Sequence, residues 1–270
     1  MRYSVITINY NNIEGLRQTI NSVIAQTSTN YEYIVIDGGS TDGSLDAIKE
    51  YSTSLSYWIS ERDNGIYHAM NKGIAQAHGD YCIFMNSGDR FYENTVLEAI
   101  ERSNANEDII VGKVFVEKQG VIISPFPKGE LTFYHLYSGS IPHQGSFIRT
   151  DLLKKYPYDE ALKISSDWKF FVQTMILDNC SVRFVDRYVA IYDLGGLSSN
   201  NPYLMRQEKE NVLLDLFPPR VLEDYKRMKE SECLTQTLTP KLRNNYRIDK
   251  ILYRIGLFLL KFREFINYEM

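Results

Sequence analysis

The sequence has few cysteines, and none of them lies in a pattern typical of a metal or disulfide site. Its 270 residues include three, Cys82, Cys180 and Cys233, which are far apart and odd in number. This usage is typical of reduced thiols in a reducing compartment, and we assign them no chemical role. The four histidines also lack the i, i+4 spacing of zinc ligands, so we expect no zinc site.

Features of secretion and of nucleic-acid binding are also absent. The Met1 end leads directly into the strand-like residues 3–8, without the basic region, apolar stretch and cleavage site of a signal peptide. We therefore expect a cytoplasmic protein. Because nucleic-acid-binding domains usually carry net positive charge, the formal net charge of -4 predicts no nucleic-acid partner.

Two common nucleotide-binding motifs are missing as well. The sequence has no Gly-x-x-x-x-Gly-Lys-Ser/Thr phosphate loop and no Gly-x-Gly-x-x-Gly turn after the first strand. This argues against the usual ATPases and dinucleotide-dependent dehydrogenases. A nucleotidyltransferase would also need a glycine-rich, basic turn there, where the sequence reads Asn9-Tyr10-Asn11-Asn12.

Strand-like and helical patterns alternate over the first 120 residues. Apolar, β-branched runs lie at 3–9, 31–37, 56–60 and 81–85, with amphipathic helical patterns between them. This order predicts an α/β fold with a mainly parallel sheet and helices on both faces. Further on, the patterns predict strands at 108–116, 121–124 and 181–193, a long loop up to Gly139, a helix at 167–177, and helix almost throughout from Pro202 onward.

Polar clusters follow the predicted parallel strands, at the sheet edge where such folds bind ligands. Asp37, at the tip of the second strand, is positioned to accept hydrogen bonds from a ribose or base, although its segment also suits a simple turn in which Asp42 caps the next helix. Asp89 follows the fourth strand. It either binds a divalent cation, which often takes only one or two protein carboxylates, or leads into the next helix.

Four motifs in order carry a family resemblance. They are residues 5–11 (VITINYN), 33–43 (YIVIDGGSTDG), 63–73 (DNGIYHAMNKG) and 84–89 (FMNSGD). Together they resemble the family 2 glycosyltransferases, which have the nucleotide-diphospho-sugar transferase (GT-A) fold, over about residues 1–195. The forms present here, with Gly38 and Met70, resemble a subgroup that acts in bacterial surface polysaccharide synthesis.

The resemblance implies a role for individual residues. It implies a nucleotide-sugar site formed by Thr7, Asn9, Asp37, Asp63, Asn71 and Ser87. It places Asp89 as the ligand of Mn²⁺ or Mg²⁺, although Asn86 and Gly88 stand where relatives have further acids. Residues 164–168 resemble the segment that carries the catalytic base, which implies that Asp167 is the base, with Ser166 in place of the usual glutamate. By itself, Asp167 also suits a helix N-cap.

Residues 143–147 resemble another family segment, in which His143 faces the acceptor or the diphosphate. A structural role is the alternative, since isolated histidines are often structural. The resemblance implies an inverting transfer of sugar from a nucleotide sugar, taken by analogy as a UDP-sugar, to a saccharide or a lipid-linked saccharide. A non-catalytic nucleotide-sugar-binding module is the alternative that the reduced acidic motif leaves open.

The predicted domain organisation has a catalytic domain and a helical tail. Residues 1–200 form the GT-A domain, with a nucleotide-sugar-binding half (1–120) and an acceptor half (121–200), and residues 201–270 form a helical extension. Residues 241–264 carry a net charge of +5, and apolar and basic stripes share one predicted helix. Such a helix lies on an anionic membrane surface or packs against protein, including a second subunit, and the sequence favours neither.

Overall fold

The computed structural model describes residues 2–117, 121–123, 130–192 and 201–243. The chain divides into two compact units, residues 1–215 and 216–270. The domain boundary predicted at residue 200 falls outside the described residues. The helix that follows it, Pro202–Leu216, belongs to the first unit except for its last residue.

Nine strands form one sheet in the described part of the chain. The strands are β1 (Tyr3–Asn9), β2 (Tyr31–Asp37), β3 (Tyr57–Ser60), β4 (Tyr81–Phe84), β5 (Arg90–Phe91), β6 (Ile109–Val116), β7 (Val121–Ile123), β8 (Ser146–Arg149) and β9 (Val182–Tyr192). The helices are α1 (Ile13–Ile24), α2 (Ser44–Glu50), α3 (Ile66–Gln76), α4 (Val96–Arg102), α5 (Phe133–Ser138), α6 (Thr150–Lys155), α7 (Ser166–Phe171), α8 (Pro202–Leu216) and α9 (Pro219–Arg243).

The first half of the sheet is parallel, as predicted. Strands β3, β2, β1 and β4 lie side by side in this order and all run in the same direction. Every residue of β1 is buried, because strands pair with it on both edges and helices cover the sheet. Helix α3 lies especially close to β1, since a Cβ atom at Gly73 would stand 2.5 Å from Ile6 Cγ2.

The second half of the sheet is mixed. Strand β8 pairs antiparallel with both β4 and β6, while β9 runs parallel to β6 and antiparallel to β5. The antiparallel β4–β8 pair joins the two halves into one sheet. The predicted α/β fold is therefore confirmed, but only the amino-terminal half of the sheet is parallel throughout.

One sequence-based expectation about the connections is wrong. The stretch up to Gly139, predicted to be a long loop, contains helix α5. Phe133 and Leu136 of this helix are buried, and the carbonyl of Leu136 accepts a hydrogen bond from the Trp168 indole at 2.9 Å. Local glycine and proline signals misled the prediction because contacts with distant residues stabilise this short helix.

The carboxyl-terminal region is helical where it is described, as α8 and α9 show. No helix among the described residues is long and apolar enough to cross a membrane. The basic amphipathic stripe predicted beyond residue 243 lies outside the described residues.

Candidate active site

A cleft of about 810 Å³ opens at the carboxyl ends of β1, β2 and β4. Its position matches the rule that parallel sheets bind ligands at this edge. It is lined by Ile8, Asn9, Tyr10, Asn12, Gly38, Gly39, Arg62, Asp63, Gly65, Ile66, Ala69, Asn86 and Ser87. Three of the predicted nucleotide-sugar residues, Asn9, Asp63 and Ser87, are therefore brought together in one wall.

Asp37 lies beneath this wall rather than on it. Its carboxylate is fully buried and accepts hydrogen bonds from Asn9 Nδ2 (2.8 Å), from Ser60 Oγ (2.6 Å), and from the Ser40 backbone (3.0 Å) and hydroxyl (2.6 Å). Burial alone would raise the pKa of Asp37, but these hydrogen bonds outweigh it and hold the pKa below its ordinary value. Asp37 therefore joins the ends of β1, β2 and β3.

Two further predicted residues also point away from the cleft. Thr7 is fully buried, with its hydroxyl 2.9 Å from that of Tyr33. The side chain of Asn71 binds the segment that follows α6. Its Nδ2 atom donates to the Tyr158 carbonyl and to Glu160, and its Oδ1 atom accepts from the Tyr158 amide. Neither side chain lines the cleft, which departs from the sequence-based expectation, because each is occupied by packing or hydrogen bonding within the protein.

Asp63 and Ser87 are positioned by close backbone contacts. Asp63 accepts a hydrogen bond from the Gly65 amide at 3.0 Å, and a Cβ atom at Gly38 would stand 2.6 Å from its Oδ2 atom. Glycine at 38 thus lets the Asp63 carboxylate approach the loop after β2. The Ser87 hydroxyl donates to the carbonyl of Asn12 at 3.0 Å, which connects the loop after β4 with the start of α1.

A hydrogen-bonded chain of four side chains leads from the cleft into the second half of the domain. Asn86 Nδ2 lies 3.2 Å from His143 Nε2, and His143 Nδ1 lies 2.9 Å from Asp167 Oδ2. The Tyr67 hydroxyl donates to Asp167 Oδ1 at 3.0 Å. Because an ionised carboxylate only accepts, His143 Nδ1 carries a proton, and Nε2 faces the cleft residue Asn86.

Electrostatics lower the pKa of Asp167 and raise the pKa of its neighbour His143. Burial works to raise the pKa of Asp167, but the bond and charge of His143 and the bond from Tyr67 hold it below the ordinary value. For His143, burial works to lower the pKa. Its bond to Asp167, together with the charges of Asp167 and Asp89, outweighs this, and the pKa is raised.

Asp89, the predicted metal ligand, is 8% exposed and does not line the cleft. Burial raises its pKa to about 7, against the charge of His143 and hydrogen bonds with the Asn86 backbone and the Gln144 side chain. In the part of the chain that the structure describes, no group of three or more His, Cys, Asp or Glu side chains could hold a metal. A cation bound at Asp89 would have one carboxylate as a ligand, and neutral oxygens and other ligands would have to complete its coordination.

The structure adds residues that sequence reasoning did not assign. Tyr10 lines the cleft with 67% of its surface exposed, and Arg62 brings a cation to the same wall. Tyr67 binds Asp167 although 100 residues separate them. Tyr10 lies within a quoted motif, where an exposed aromatic after a buried strand was the available signal, whereas the contact of Tyr67 has no local signature.

Two side-chain amide oxygens of cleft-lining residues are available to accept hydrogen bonds from a ligand. Asn9 Oδ1 and Asn86 Oδ1 are buried and find no hydrogen-bond partner among the described residues. Both residues line the cleft. Because buried polar atoms are nearly always hydrogen-bonded, these oxygens fit the hydroxyl and N–H donors of a bound nucleoside or sugar.

Comparison with known proteins identifies the family of this chain. The model of the family described as glycosyl transferase family 2 matches residues 4–155. The chain belongs to this family. As a family 2 glycosyltransferase it is an enzyme, in agreement with the motifs at residues 5–89. A similar protein is a glycosyltransferase of Mycobacterium tuberculosis, 33% identical over 207 residues, which cover 73% of this chain and 77% of the relative.

Solved structures of similar fold agree with the GT-A architecture. The family 2 enzyme is similar to S. aureus TarS 1-349 in complex with UDP-GlcNAc, with a TM-score of 0.65, 24% identity, and coverage of 79% of this chain and 64% of that chain. It is also similar to a mannosyltransferase from Pyrobaculum calidifontis in complex with GDP-Man and Mn²⁺, with a TM-score of 0.61, 15% identity, and coverage of 96% and 80%.

The Asp37 network predicts a pH-dependent contribution to stability. Replacing Asp37 by asparagine should lower the free energy of unfolding at pH 7 by about 1–3 kcal/mol, because an ionised acceptor of several hydrogen bonds is lost. Since the folded-state pKa of Asp37 is lowered, its stabilising effect is complete above the unfolded pKa and is lost as the pH falls through the folded pKa.

The difference between wild type and Asp37→Asn should therefore shrink as the pH falls below about 4. Urea unfolding at a series of pH values measures it. Asp46→Asn is a matched control, since the Asp46 side chain is 81% exposed, and should change stability little. If the difference in the free energy of unfolding between wild type and Asp37→Asn stayed constant at the lowest pH measured, the role given to Asp37 would be contradicted.

Proposed function

We propose that the enzyme transfers a sugar from a UDP-sugar to a hydroxyl of a saccharide or lipid-linked saccharide, with inversion at the anomeric carbon. The observation that carries the proposal is the connection of the cleft to the His143–Asp167 pair through Asn86. This connection supports a role as base for the pair, because it lies next to a cleft of about 810 Å³. The acceptor class is supported by the resemblance of the motifs to the surface polysaccharide subgroup.

The cleft suits a nucleoside diphosphate. Tyr10 offers an exposed aromatic face, and aromatic faces stack on nucleobases. Arg62 supplies positive charge for phosphate oxygens, and the unpaired oxygen of Asn9 accepts a hydrogen bond from the nucleoside or sugar. The choice of uridine is supported by the similarity to TarS, whose structure contains UDP-GlcNAc.

The base in this proposal is the Asp167–His143 pair. The acceptor oxygen attacks the anomeric carbon, the bond from that carbon to the diphosphate breaks, and UDP leaves with the bonding electrons. The acceptor proton passes to Nε2 of a neutral His143, whose Nδ1–H bond to Asp167 orients the imidazole, and Asp167 stabilises the positive charge that forms. Because a sugar hydroxyl is a weak nucleophile, positioned proton removal of this kind contributes about 10²–10⁴-fold to the rate.

We extend the proposal to a divalent cation held by Asp89. The observation that tests the fit is that the Asp89 carboxylate and the unpaired Asn86 Oδ1 are both hard oxygens in the same short loop. Such oxygens, completed by water and phosphate, suit Mn²⁺ or Mg²⁺. When bound, the cation would neutralise charge on the departing diphosphate. The similar mannosyltransferase with bound Mn²⁺ supports this choice.

Turnover tests the proposed function. The purified enzyme is incubated with UDP-glucose, UDP-galactose or UDP-GlcNAc, saccharide and lipid-linked acceptors, and Mn²⁺ or Mg²⁺, and UDP release and product are measured. Asp167→Asn should lower kcat by about 10²–10⁴-fold. Asp151→Asn, an exposed acid on α6, is the control and should behave as wild type.

Asp167→Asn with unchanged kcat would show that the pair is not the base. Tight binding of UDP without turnover of any donor and acceptor would instead support a nucleotide-sugar-binding module.

Tyr10 is expected to contribute to nucleotide affinity. Replacing it by alanine removes a stacking face, so the Kd for UDP should rise by about 5- to 150-fold, the equivalent of about 1–3 kcal/mol per stacked base. Titration calorimetry measures this. Tyr92→Ala is the control, because Tyr92 is also exposed (40%) but does not line the cleft. Equal affinities of the Tyr10 variant and wild type for UDP would show that the nucleobase does not stack on Tyr10.

Asp89 is expected to control the metal requirement. If it holds the cation, Asp89→Ala should raise the Mn²⁺ concentration that gives half-maximal UDP release by about tenfold or more. A metal titration of activity after removal of bound ions measures this. Unchanged metal dependence in a folded Asp89→Ala enzyme would contradict the assignment of Asp89 as the ligand.

A further inference from the structure

Helix α8 brings a buried carboxylate to the segment that leads into α7. Glu208 is 7% exposed, and it accepts hydrogen bonds from three consecutive backbone amides. Its Oε1 atom lies 2.7 Å from the nitrogen of Lys163, and its Oε2 atom lies 3.1 Å and 3.0 Å from the nitrogens of Ile164 and Ser165. One side chain thus fixes three successive peptide groups.

These peptide groups lie directly before Asp167. Ser165 is the N-cap residue of α7, and its carbonyl accepts the first hydrogen bond of that helix, from Lys169 at 2.9 Å. Asp167 is the second residue of the helix. The position of its carboxylate relative to His143 and Tyr67 therefore depends on where residues 163–165 are held.

A second contact from α8 reaches the neighbour of Asp167. The ammonium group of Lys209 lies 4.8 Å from the centre of the Trp168 ring, a distance typical of a cation–π contact. Trp168 is 2% exposed, and its indole donates to the Leu136 carbonyl in α5. Adjacent residues of α8 thus hold α7 at its start and on its buried side.

We infer that Glu208 is a positioning residue for the base: it holds residues 163–165 so that the Asp167 carboxylate stays within hydrogen-bond distance of His143 and Tyr67. The inference rests on the proposed function of the Asp167–His143 pair. Helix α8 lies beyond residues 4–155, which the family model matches. The segment after the matched region therefore completes the active site.

The test separates chemistry from donor binding. Glu208→Gln keeps the size of the side chain. In the variant an NH₂ group, which is a donor, faces backbone N–H groups that donate to a carboxylate oxygen in the wild type. Because a displacement of about 1 Å can cost on the order of 100-fold in rate, kcat for UDP release should fall by about 10- to 100-fold. The KM for the donor should change by less than about twofold, because the cleft is built from residues 8–87.

Glu210→Gln is the matched control. Glu210 lies on the same helix with its side chain 59% exposed and pairs with Arg206, so kcat and KM should equal those of wild type. Glu208→Asp keeps the charge but shortens the side chain, and it should retain more kcat than Glu208→Gln. If Glu208→Gln does not fold, Glu208→Asp carries the test, with a reduced kcat and an unchanged donor KM expected.

A double-mutant cycle with Asp167→Asn decides whether Glu208 acts through Asp167. All assays use the UDP-sugar that gives the fastest turnover with wild type. If Glu208 acts through Asp167, Glu208→Gln should lower kcat in the wild-type background and should not lower it further in the Asp167→Asn background, since effects on one functional unit are not additive. Additive losses, a raised donor KM, or a kcat equal to wild type would overturn the inference. Full activity of Asp167→Asn would instead overturn the proposed function on which it rests.

Discussion

The buried carboxylate of Asp37 is the interaction on which the cleft depends. It joins the ends of three parallel strands by accepting hydrogen bonds from Asn9, Ser40 and Ser60. With these ends held in register, the loops that follow β1, β2 and β3 meet in one wall of the cleft. Burial alone would raise the pKa of this carboxylate, but the surrounding donors stabilise its charge and hold the pKa below its ordinary value.

The two halves of the sheet supply different parts of the proposed reaction. The parallel half forms the cleft with its exposed aromatic, its cation and its unpaired amide oxygens. The mixed half supplies His143, just before β8, and Asp167, at the start of α7. Because β8 pairs directly with β4, the His143–Asp167 pair lies beside the loop that contains Asn86. Donor binding and proton removal are thus joined through adjacent strands.

Much of this architecture is predictable from local patterns. The strands up to β4 follow from apolar runs that end at polar clusters, and the residues at those ends include the cleft residues Asn9, Asp63 and Ser87. Asp37 shows the limit of such reasoning. A strand-end aspartate suits either a ligand contact or a structural network, and only the three-dimensional positions of its neighbours distinguish the two. The same holds for Thr7 and Asn71, whose partners are distant in sequence.

Contacts between segments far apart in the chain were the least predictable. Tyr67 with Asp167, and Glu208 with residues 163–165, have no local pattern, because folding alone brings these groups together. The reverse case is α5, where local signals suggested a loop but burial of Phe133 and Leu136 stabilises a helix. Long-range packing thus determines both the position of Asp167, the proposed base, and the local structure near it.

The anomeric configuration of the product is a direct test of transfer by a single displacement. In the proposed arrangement the base activates an acceptor on the side of the anomeric carbon opposite the departing UDP, so a single displacement inverts that carbon. Proton NMR of the product formed from an α-linked UDP-sugar reports the anomeric configuration through the coupling of its H1 proton. A single displacement gives a β-linked product. An α-linked product would contradict transfer by a single displacement.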